Sequence, residues 1–106
     1  MAKQGFFGEH WLDNGKPAGG VSTGRGFTIS WQNGPLGRGN DRREPNGAFV
    51  EDIIAAAIER IEFYQASGFA CVENTDALEG LRLAAKRLDD RTKDREARAV
   101  EGTHTK

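Results

Sequence analysis

The sequence of 106 residues lacks the features that mark secreted and membrane proteins. It has a single cysteine, Cys71, so no internal disulfide can form, and such sparse cysteine usage is typical of a reducing compartment. No apolar run approaches the ~18 residues that span a bilayer, and no apolar signal segment follows Met1. We therefore expect a cytoplasmic protein with no membrane partner.

The chain also lacks an excess of charge of one sign. Its 15 basic and 16 acidic residues give a net charge of −1 and a pI near 6.1. General nucleic-acid binders carry a basic surplus, so we expect no nucleic-acid partner. A site for an anion would have to come from a local cluster of basic residues.

Groups that carry catalysis or bind metals are equally sparse. His10 and His104 have no cysteine or acidic partners at metal-ligand spacing. Cys71 stands among apolar residues and is expected in the core rather than as a nucleophile. The sequence thus predicts no metal, no cofactor and no catalytic residue, and it favours binding without turnover.

Glycine and proline are unevenly distributed and divide the chain near Pro45. All three prolines and most glycines precede this point, whereas residues 48–100 contain only Gly68 and Gly80. Glycine-rich alternating segments favour strands, and long periodic stretches without breakers favour helices. The prediction is a single α+β domain over residues 1–106, with a small antiparallel sheet in 1–45, two long helices forming a hairpin in 46–100, and a tail in 101–106.

Two segments of the first part have the pattern of strands. Residues 5–12 are followed by the turn sequence Asp13-Asn14-Gly15, and residues 26–32 alternate between large apolar and polar side chains. The glycine-rich segment 19–26 between them is interpreted as a loop. Its backbone N–H groups and side chains could hold a phosphate, although the spacing matches no known phosphate motif. This loop supplies a candidate second nucleotide site of Ser22, Thr23, Arg25 and Gly26.

The second part has apolar residues at helical spacing. Asn46 is expected to cap the first helix, which should end at Ser67-Gly68. The second helix is expected to begin between residues 69 and 75, with Asn74 or Thr75 as its cap. Its apolar side chains form a seam at alternating steps of three and four, which consists of Leu78, Leu81, Ala85 and Leu88.

The strongest functional signal is the charged segment 86–98, with ten charged residues in thirteen. Such runs are commonly solvated helix faces, and the spacings of Asp89–Lys93 and Asp94–Arg98 fit that interpretation. Four arginines nevertheless follow steps of four, four and three along one stripe, where a bound anion would offset their repulsion. These residues, called the arginine stripe below, are Arg87, Arg91, Arg95 and Arg98.

Aromatic side chains near the junction of the two helices suggest a partner for that charge. Phe63, Tyr64 and Phe69 precede Asn74 closely, and a nucleobase can stack on an aromatic ring while an amide reads its edge. Core packing of the rings and helix capping by Asn74 remain open as alternatives.

Five blocks of sequence together resemble the first Thoeris anti-defence family, small phage proteins that sequester immune signals. The blocks are ISWQNGPL (29–36), EPNGAFVE (44–51), FYQ (63–65), FACVEN (69–74) and RTKDREARAVEGTH (91–104). The resemblance implies an N-terminal sheet followed by two long helices, a dimer or hexamer, and a location in the cytoplasm of the bacterial host. It also implies binding, without cleavage, of glycocyclic ADP-ribose, and of CBASS cyclic trinucleotides in separate pockets in some members.

The resemblance further implies which residues hold the ligand. Asn74, Arg91 and Arg95 would line the cyclic ADP-ribose pocket, with Arg98 as an addition. One ring from Phe63, Tyr64 or Phe69 would stack on the adenine. Replacing Arg91 or Arg95 by alanine is expected to abolish sequestration and leave the fold intact. The chain departs from the family in having Ala99 where a glycine is expected.

Three other functions remain open on the sequence alone. The arginine stripe could dock onto an acidic protein surface, which would make the chain an adaptor. A nucleotide hydrolase would convert its ligand, and a nucleic-acid binder would show a steep salt dependence of its affinity.

Overall fold

The computed structural model describes residues 5–106, which form two compact units. One unit comprises residues 5–49 and 99–106, and the other is Val50–Arg98. The first contains strands β1 (Phe7–Asp13), β2 (Lys16–Gly24) and β3 (Phe27–Trp31), and the second contains helices α1 (Val50–Ala66) and α2 (Val72–Ala97). The predicted α+β class, a small antiparallel sheet followed by two long helices, is confirmed. The grouping of all 106 residues into one domain stays a prediction, and residues 1–4 lie outside the described part.

The three strands pair in the antiparallel order β1-β2-β3. The predicted turn after the first strand is confirmed: Asn14 and Gly15 adopt φ of 53° and 77° between the paired residues Asp13 and Lys16. Two consecutive residues with positive φ are typical of the tight hairpin turn that matches the twist of antiparallel strands. The register shifts between His10 and Leu12, which marks an irregularity in β1.

The interpretation of residues 19–26 as a loop is wrong, because most of them belong to the central strand β2. Both neighbouring strands supply hydrogen bonds to β2, and this outweighs the low strand propensity of its glycines. Gly19 and Gly20 are buried beneath side chains of β1. A Cβ at Gly19 would lie 3.0 Å from the Trp11 ring, so the glycines here make room for neighbouring aromatic groups.

Asn46 does not cap α1, which begins four residues later at Val50. Its side chain instead forms a reciprocal pair with the backbone of Asn33: Oδ1 accepts from the Asn33 N–H at 2.8 Å, and Nδ2 donates to the Asn33 carbonyl at 3.0 Å. The Asn46 N–H donates to Oε1 of Gln32 at 2.8 Å. These bonds fix the chain beside the end of β3, where Ala48 also bridges Trp31.

The two helices are connected by residues 67–71, short enough to make them antiparallel neighbours. The predicted end of α1 and the predicted seam of α2 are confirmed. Leu78 is buried, and Leu81, Ala85 and Leu88 are half-buried. Half-buried residues of α1 recur at helical spacing too, namely Ile54, Ala57, Ile58 and Ile61.

The predicted caps of α2 are wrong, because Asn74 and Thr75 lie inside the helix. Cys71 occupies the N-cap position, and its side chain makes no capping hydrogen bond. Cys71 is exposed, so its predicted place in the core is also wrong. The amide of Gln65 on α1 reaches across the turn and binds the backbone N–H and carbonyl of Cys71.

The C-terminal tail returns to the sheet-containing unit. The Gly37 N–H donates to the Gly102 carbonyl at 2.7 Å, and Arg38 donates to the Glu101 carbonyl at 2.8 Å. Arg42 forms an ion pair of 2.7 Å with the Glu101 carboxylate. The basic segment 37–43 is therefore the surface on which the tail is held.

Candidate ligand-binding site

The main set of predicted ligand-binding residues lies on the helical unit, divided between its two ends. Tyr64 and Asn74 lie near the turn of the hairpin, whereas the arginine stripe occupies the last turns of α2. Asn74 and Arg91 are 17 residues apart on one helix, which is about 26 Å along its axis. A single protomer therefore does not bring these two groups to one small ligand.

The four arginines of the stripe differ in what already binds them. Arg87 lies 3.6 Å from the Asp90 carboxylate, and Nε of Arg98 donates to Oδ2 of Asp94 at 3.1 Å. Arg95 is only 8% exposed, in a position that continues the apolar seam. Arg91 is exposed and has neither an ion pair nor a hydrogen bond through its side chain within residues 5–106.

The remaining charges of segment 86–98 behave as a solvated helix face. Lys86 donates a hydrogen bond of 3.1 Å to Asp90, and this bond is the main cause that holds the pKa of Asp90 below its usual value. Lys93 pairs with Asp89 at 3.0 Å, and the hydrogen bond raises the pKa of Lys93. These pairs confirm the solvated-face interpretation for their own side chains, and anion binding by the arginine stripe stays a prediction.

The aromatic end is open to solvent rather than packed in a core. Phe63 is 57% exposed and Phe69 is 76% exposed, while Tyr64 is half-buried. The ring centroids of Phe63 and Tyr64 lie 6.1 Å apart with 54° between the ring planes. Exposed rings of this size provide the flat apolar surface on which a nucleobase stacks.

Asn74 is half-buried near the start of α2. Its Nδ2 donates to the Phe69 carbonyl at 3.3 Å, which orients the amide. The Oδ1 atom has no hydrogen-bond partner in the described part of the chain and stays available as an acceptor. An oriented amide acceptor suits the exocyclic amine of adenine.

The second predicted set lies in the sheet and at its hairpin turn. Ser22 is buried, and its hydroxyl accepts a hydrogen bond of 2.8 Å from the Trp31 indole. Ser22 and Thr23 pair with strands on both sides, so the phosphate-binding loop of free backbone N–H groups predicted here does not exist at these positions. Arg25 and Gly26 form the exposed turn, with φ of 79° at Gly26.

The sheet-containing unit has a polar cavity of about 640 Å³ that the sequence did not predict. None of the predicted site residues lines it. The cavity is lined by residues of two sequence blocks quoted above, 29–36 and 44–51, together with Arg42 and Arg43 of the basic segment 37–43. Apart from these two arginines, its lining residues are Gln32, Asn33, Gly34, Pro35, Gly37, Asn40, Asp41, Glu44 and Asn46.

Two features are absent from residues 5–106, a metal-ligand cluster and a membrane-spanning helix. No group of three histidine, cysteine, aspartate or glutamate residues is arranged to hold a metal ion there. Neither described helix is both long and apolar enough to cross a membrane.

Comparison with known proteins yields a curated relative. No protein-family model matches the chain. Over 83 residues, the chain is 41% identical to "Thoeris anti-defense 1" of Bacillus phage SBSphiJ7. The match covers 78% of this chain and 56% of the relative, so the chain spans little more than half the relative's length.

Proposed function

Because the chain belongs to the Thoeris anti-defence 1 family, we propose that it is a phage anti-defence protein that binds and sequesters a cyclic nucleotide immune signal without degrading it. The proposed ligand is glycocyclic ADP-ribose, and the proposed place of action is the cytoplasm of the bacterial host. The proposal is carried by the combination of two groups. One is an exposed Arg91 with no ion pair or side-chain hydrogen bond among residues 5–106, and the other is the rings of Phe63, Tyr64 and Phe69, called the aromatic platform below.

The chemistry of these two groups suits the two parts of such a ligand. The guanidinium of Arg91 can form a bidentate contact with a phosphate, and no carboxylate of the described residues competes for it. The rings of Phe63, Tyr64 and Phe69 can stack on adenine, with Oδ1 of Asn74 accepting from its amine. Arg95 and Arg98 extend the positive charge along the same stripe.

The distance between the two groups requires a second copy of the chain. A ligand small enough for one pocket does not reach across about 26 Å of helix. In a twofold dimer with antiparallel α2 helices, the aromatic end of one copy would lie opposite the arginine stripe of the other. Each dimer would then have two equivalent sites, and a hexamer would contain three such dimers.

Sequestration without turnover is tested by mixing the purified protein with glycocyclic ADP-ribose. The protein should deplete the free ligand stoichiometrically, and denaturation should release it with unchanged mass and chromatographic retention. Release of a converted product would contradict binding without degradation and support a hydrolase. Absence of depletion would contradict the proposed ligand.

The shared site is tested by complementation between two variants. Asn74→Ala and Arg91→Ala should each abolish binding as pure proteins. After unfolding and refolding together, about a quarter of the wild-type capacity should return, because half of the dimers are mixed and each mixed dimer has one intact site. A mixture of two Arg91→Ala preparations is the control, and no recovery in the Asn74–Arg91 mixture would contradict the antiparallel arrangement.

We propose a second ligand class, the cyclic trinucleotides of CBASS immunity. Of the predicted residues for that site, the exposed turn of Arg25 and Gly26 is the part available to a ligand. Arg25→Ala should weaken binding of a cyclic trinucleotide and leave binding of glycocyclic ADP-ribose unchanged. Equal binding of the trinucleotide by both proteins would remove Arg25 from the site.

A further inference from the structure

Arg60 on α1 lies against the rings of Phe63 and Tyr64 and has no acidic partner among residues 5–106. Its guanidinium carbon lies 5.0 Å from the ring centroid of Phe63 and 5.0 Å from that of Tyr64. Its Nε donates a hydrogen bond of 3.2 Å to the Tyr64 hydroxyl. These residues are three and four positions apart, so they share one face of α1.

Exposed arginines on helices commonly pair with a carboxylate, and several in this unit do so. Arg82 pairs with Glu62 at 2.6 Å, and Arg87 and Arg98 lie near aspartates of α2. Arg60 forms no ion pair within residues 5–106. Two rings and a phenol oxygen hold its guanidinium, and its other four N–H donors have no hydrogen-bond partner among residues 5–106.

We propose that Arg60 binds a phosphate of the ligand whose base stacks on the adjacent aromatic platform. This proposal rests on the proposed function above and adds a residue to its site. Cation–π contacts with two rings fix the position of the guanidinium before the ligand arrives, which lowers the entropy lost on binding. The aromatic end therefore recognises both a base and a phosphate, and the ligand's charge is shared between Arg60 of one copy and the arginine stripe of the other.

The alternative role for Arg60 is support of the rings without contact to the ligand. Both roles predict weaker binding when the side chain is removed, so affinity alone does not separate them. A phosphate contact also changes the environment of a phosphorus atom in the bound ligand. The bound ligand's ³¹P resonances therefore distinguish the two roles.

The experiment measures glycocyclic ADP-ribose binding by calorimetry and ³¹P NMR for wild-type protein, Arg60→Gln, Arg60→Lys and Arg82→Gln. Arg82 is the matched control, because it is an exposed arginine of the same unit and its guanidinium lies over no aromatic ring of the described residues. We expect Arg60→Gln to raise Kd at least about tenfold and to shift one bound ³¹P resonance, since hydrogen bonds to charged groups are the stronger ones. Arg60→Lys should be intermediate, and Arg82→Gln should match the wild type in both measurements.

Each other result overturns the proposal in a recognisable way. If the wild type binds and Arg60→Gln binds within about twofold of it, Arg60 makes no contact and the proposed function stands. If Arg60→Gln binds weakly but leaves the bound ³¹P resonances unchanged, Arg60 only supports the rings. If the wild type does not bind, the proposed ligand fails and the assignment of Arg60 fails with it.

Discussion

Gln65 binds the backbone of Cys71 with both halves of its amide group. Oε1 accepts from the Cys71 N–H at 3.0 Å, and Nε2 donates to the Cys71 carbonyl at 3.3 Å. The same Nε2 lies 3.0 Å from the Thr75 hydroxyl. One side chain of α1 therefore holds the start of α2, the helix that carries Asn74.

Replacing Gln65 by alanine should lower the free energy of unfolding by about 1 kcal/mol, because the Cys71 N–H loses its acceptor, whereas the Cys71 carbonyl keeps the hydrogen bond from the Thr75 N–H. Urea denaturation followed by circular dichroism measures the change. Glu59→Ala is the control, since Glu59 is exposed on α1 with no partner among residues 5–106. Equal losses in the two variants would show that the Gln65 hydrogen bonds contribute nothing.

Replacing Ala99 by glycine should stabilise the protein by about 1 kcal/mol. Ala99 follows the C-cap residue Arg98 of α2 with φ of 60°, a left-handed conformation that glycine adopts without strain. Ala97→Gly, at the last helical residue, should instead destabilise by up to about 1 kcal/mol. Thermal and urea denaturation of both variants check the opposite signs, and destabilisation by Ala99→Gly would contradict the strain.

Arg91→Ala should abolish binding of glycocyclic ADP-ribose with little change in stability, because the Arg91 side chain forms no ion pair or hydrogen bond in the described residues.

Arg95→Ala should lower the stability of the fold as well as abolish binding, which differs from the prediction made from the sequence. Arg95 is 8% exposed, so its removal should also lower the free energy of unfolding by about 1–3 kcal/mol. Calorimetric binding and urea denaturation of both variants separate the two effects, and equal stabilities would show that Arg95 burial is energetically neutral.

Replacing Ser22 by alanine should destabilise the sheet-containing unit by about 1–2 kcal/mol, since the Trp31 indole loses its acceptor in a partly buried site. The Trp31 indole N–H resonance should also shift in the NMR spectrum. Ser30→Ala is the control, because Ser30 is exposed on β3. An unchanged indole resonance in Ser22→Ala would contradict this hydrogen bond.

Replacing Lys86 by glutamine should raise the pKa of Asp90 toward its usual value of 3.8, because the Lys86 hydrogen bond is the largest cause of its depression. A carboxyl with a depressed pKa contributes stability above its unfolded value, and this contribution is lost as the pH falls through the folded value. The pair is largely exposed, so this contribution should be small; it is present above a pH of about 4 and is lost as the pH falls below that value. Carboxyl ¹³C NMR titration measures the pKa, and Lys93→Gln should shift it less than Lys86→Gln does.

The sequence predicted the elements whose pattern is local. The alternation of Phe27, Ile29 and Trp31 identified β3, and the Asn14-Gly15 pair identified the first hairpin turn. The steps of three and four from Leu78 to Leu88 identified the buried seam of α2. In each case the backbone conformation and the buried face depend on residues a few positions apart, so the periodicity carries the information.

Contacts between distant segments were not predictable in the same way. The strand β2 was missed because its glycines favour turns, and only pairing with strands on both sides makes it extended. Asn46 and Asn74 are residue types that commonly cap helices, but the side chain of Asn46 binds the backbone of Asn33, and that of Asn74 binds the backbone of Phe69. A polar side chain accepts any partner of suitable geometry, so its type does not specify which one.

The sequence by itself determined the fold class, the seam of α2 and the spacing of the arginine stripe, because each is a periodic property of one segment. Which arginine has its donors available depends on the tertiary structure. Arg95 is buried whereas Arg91 is exposed, and Arg87 and Arg98 form ion pairs with aspartates. The tertiary structure also placed Arg60 against the aromatic rings, a contact set by side-chain geometry on a helix face and not by residue type alone.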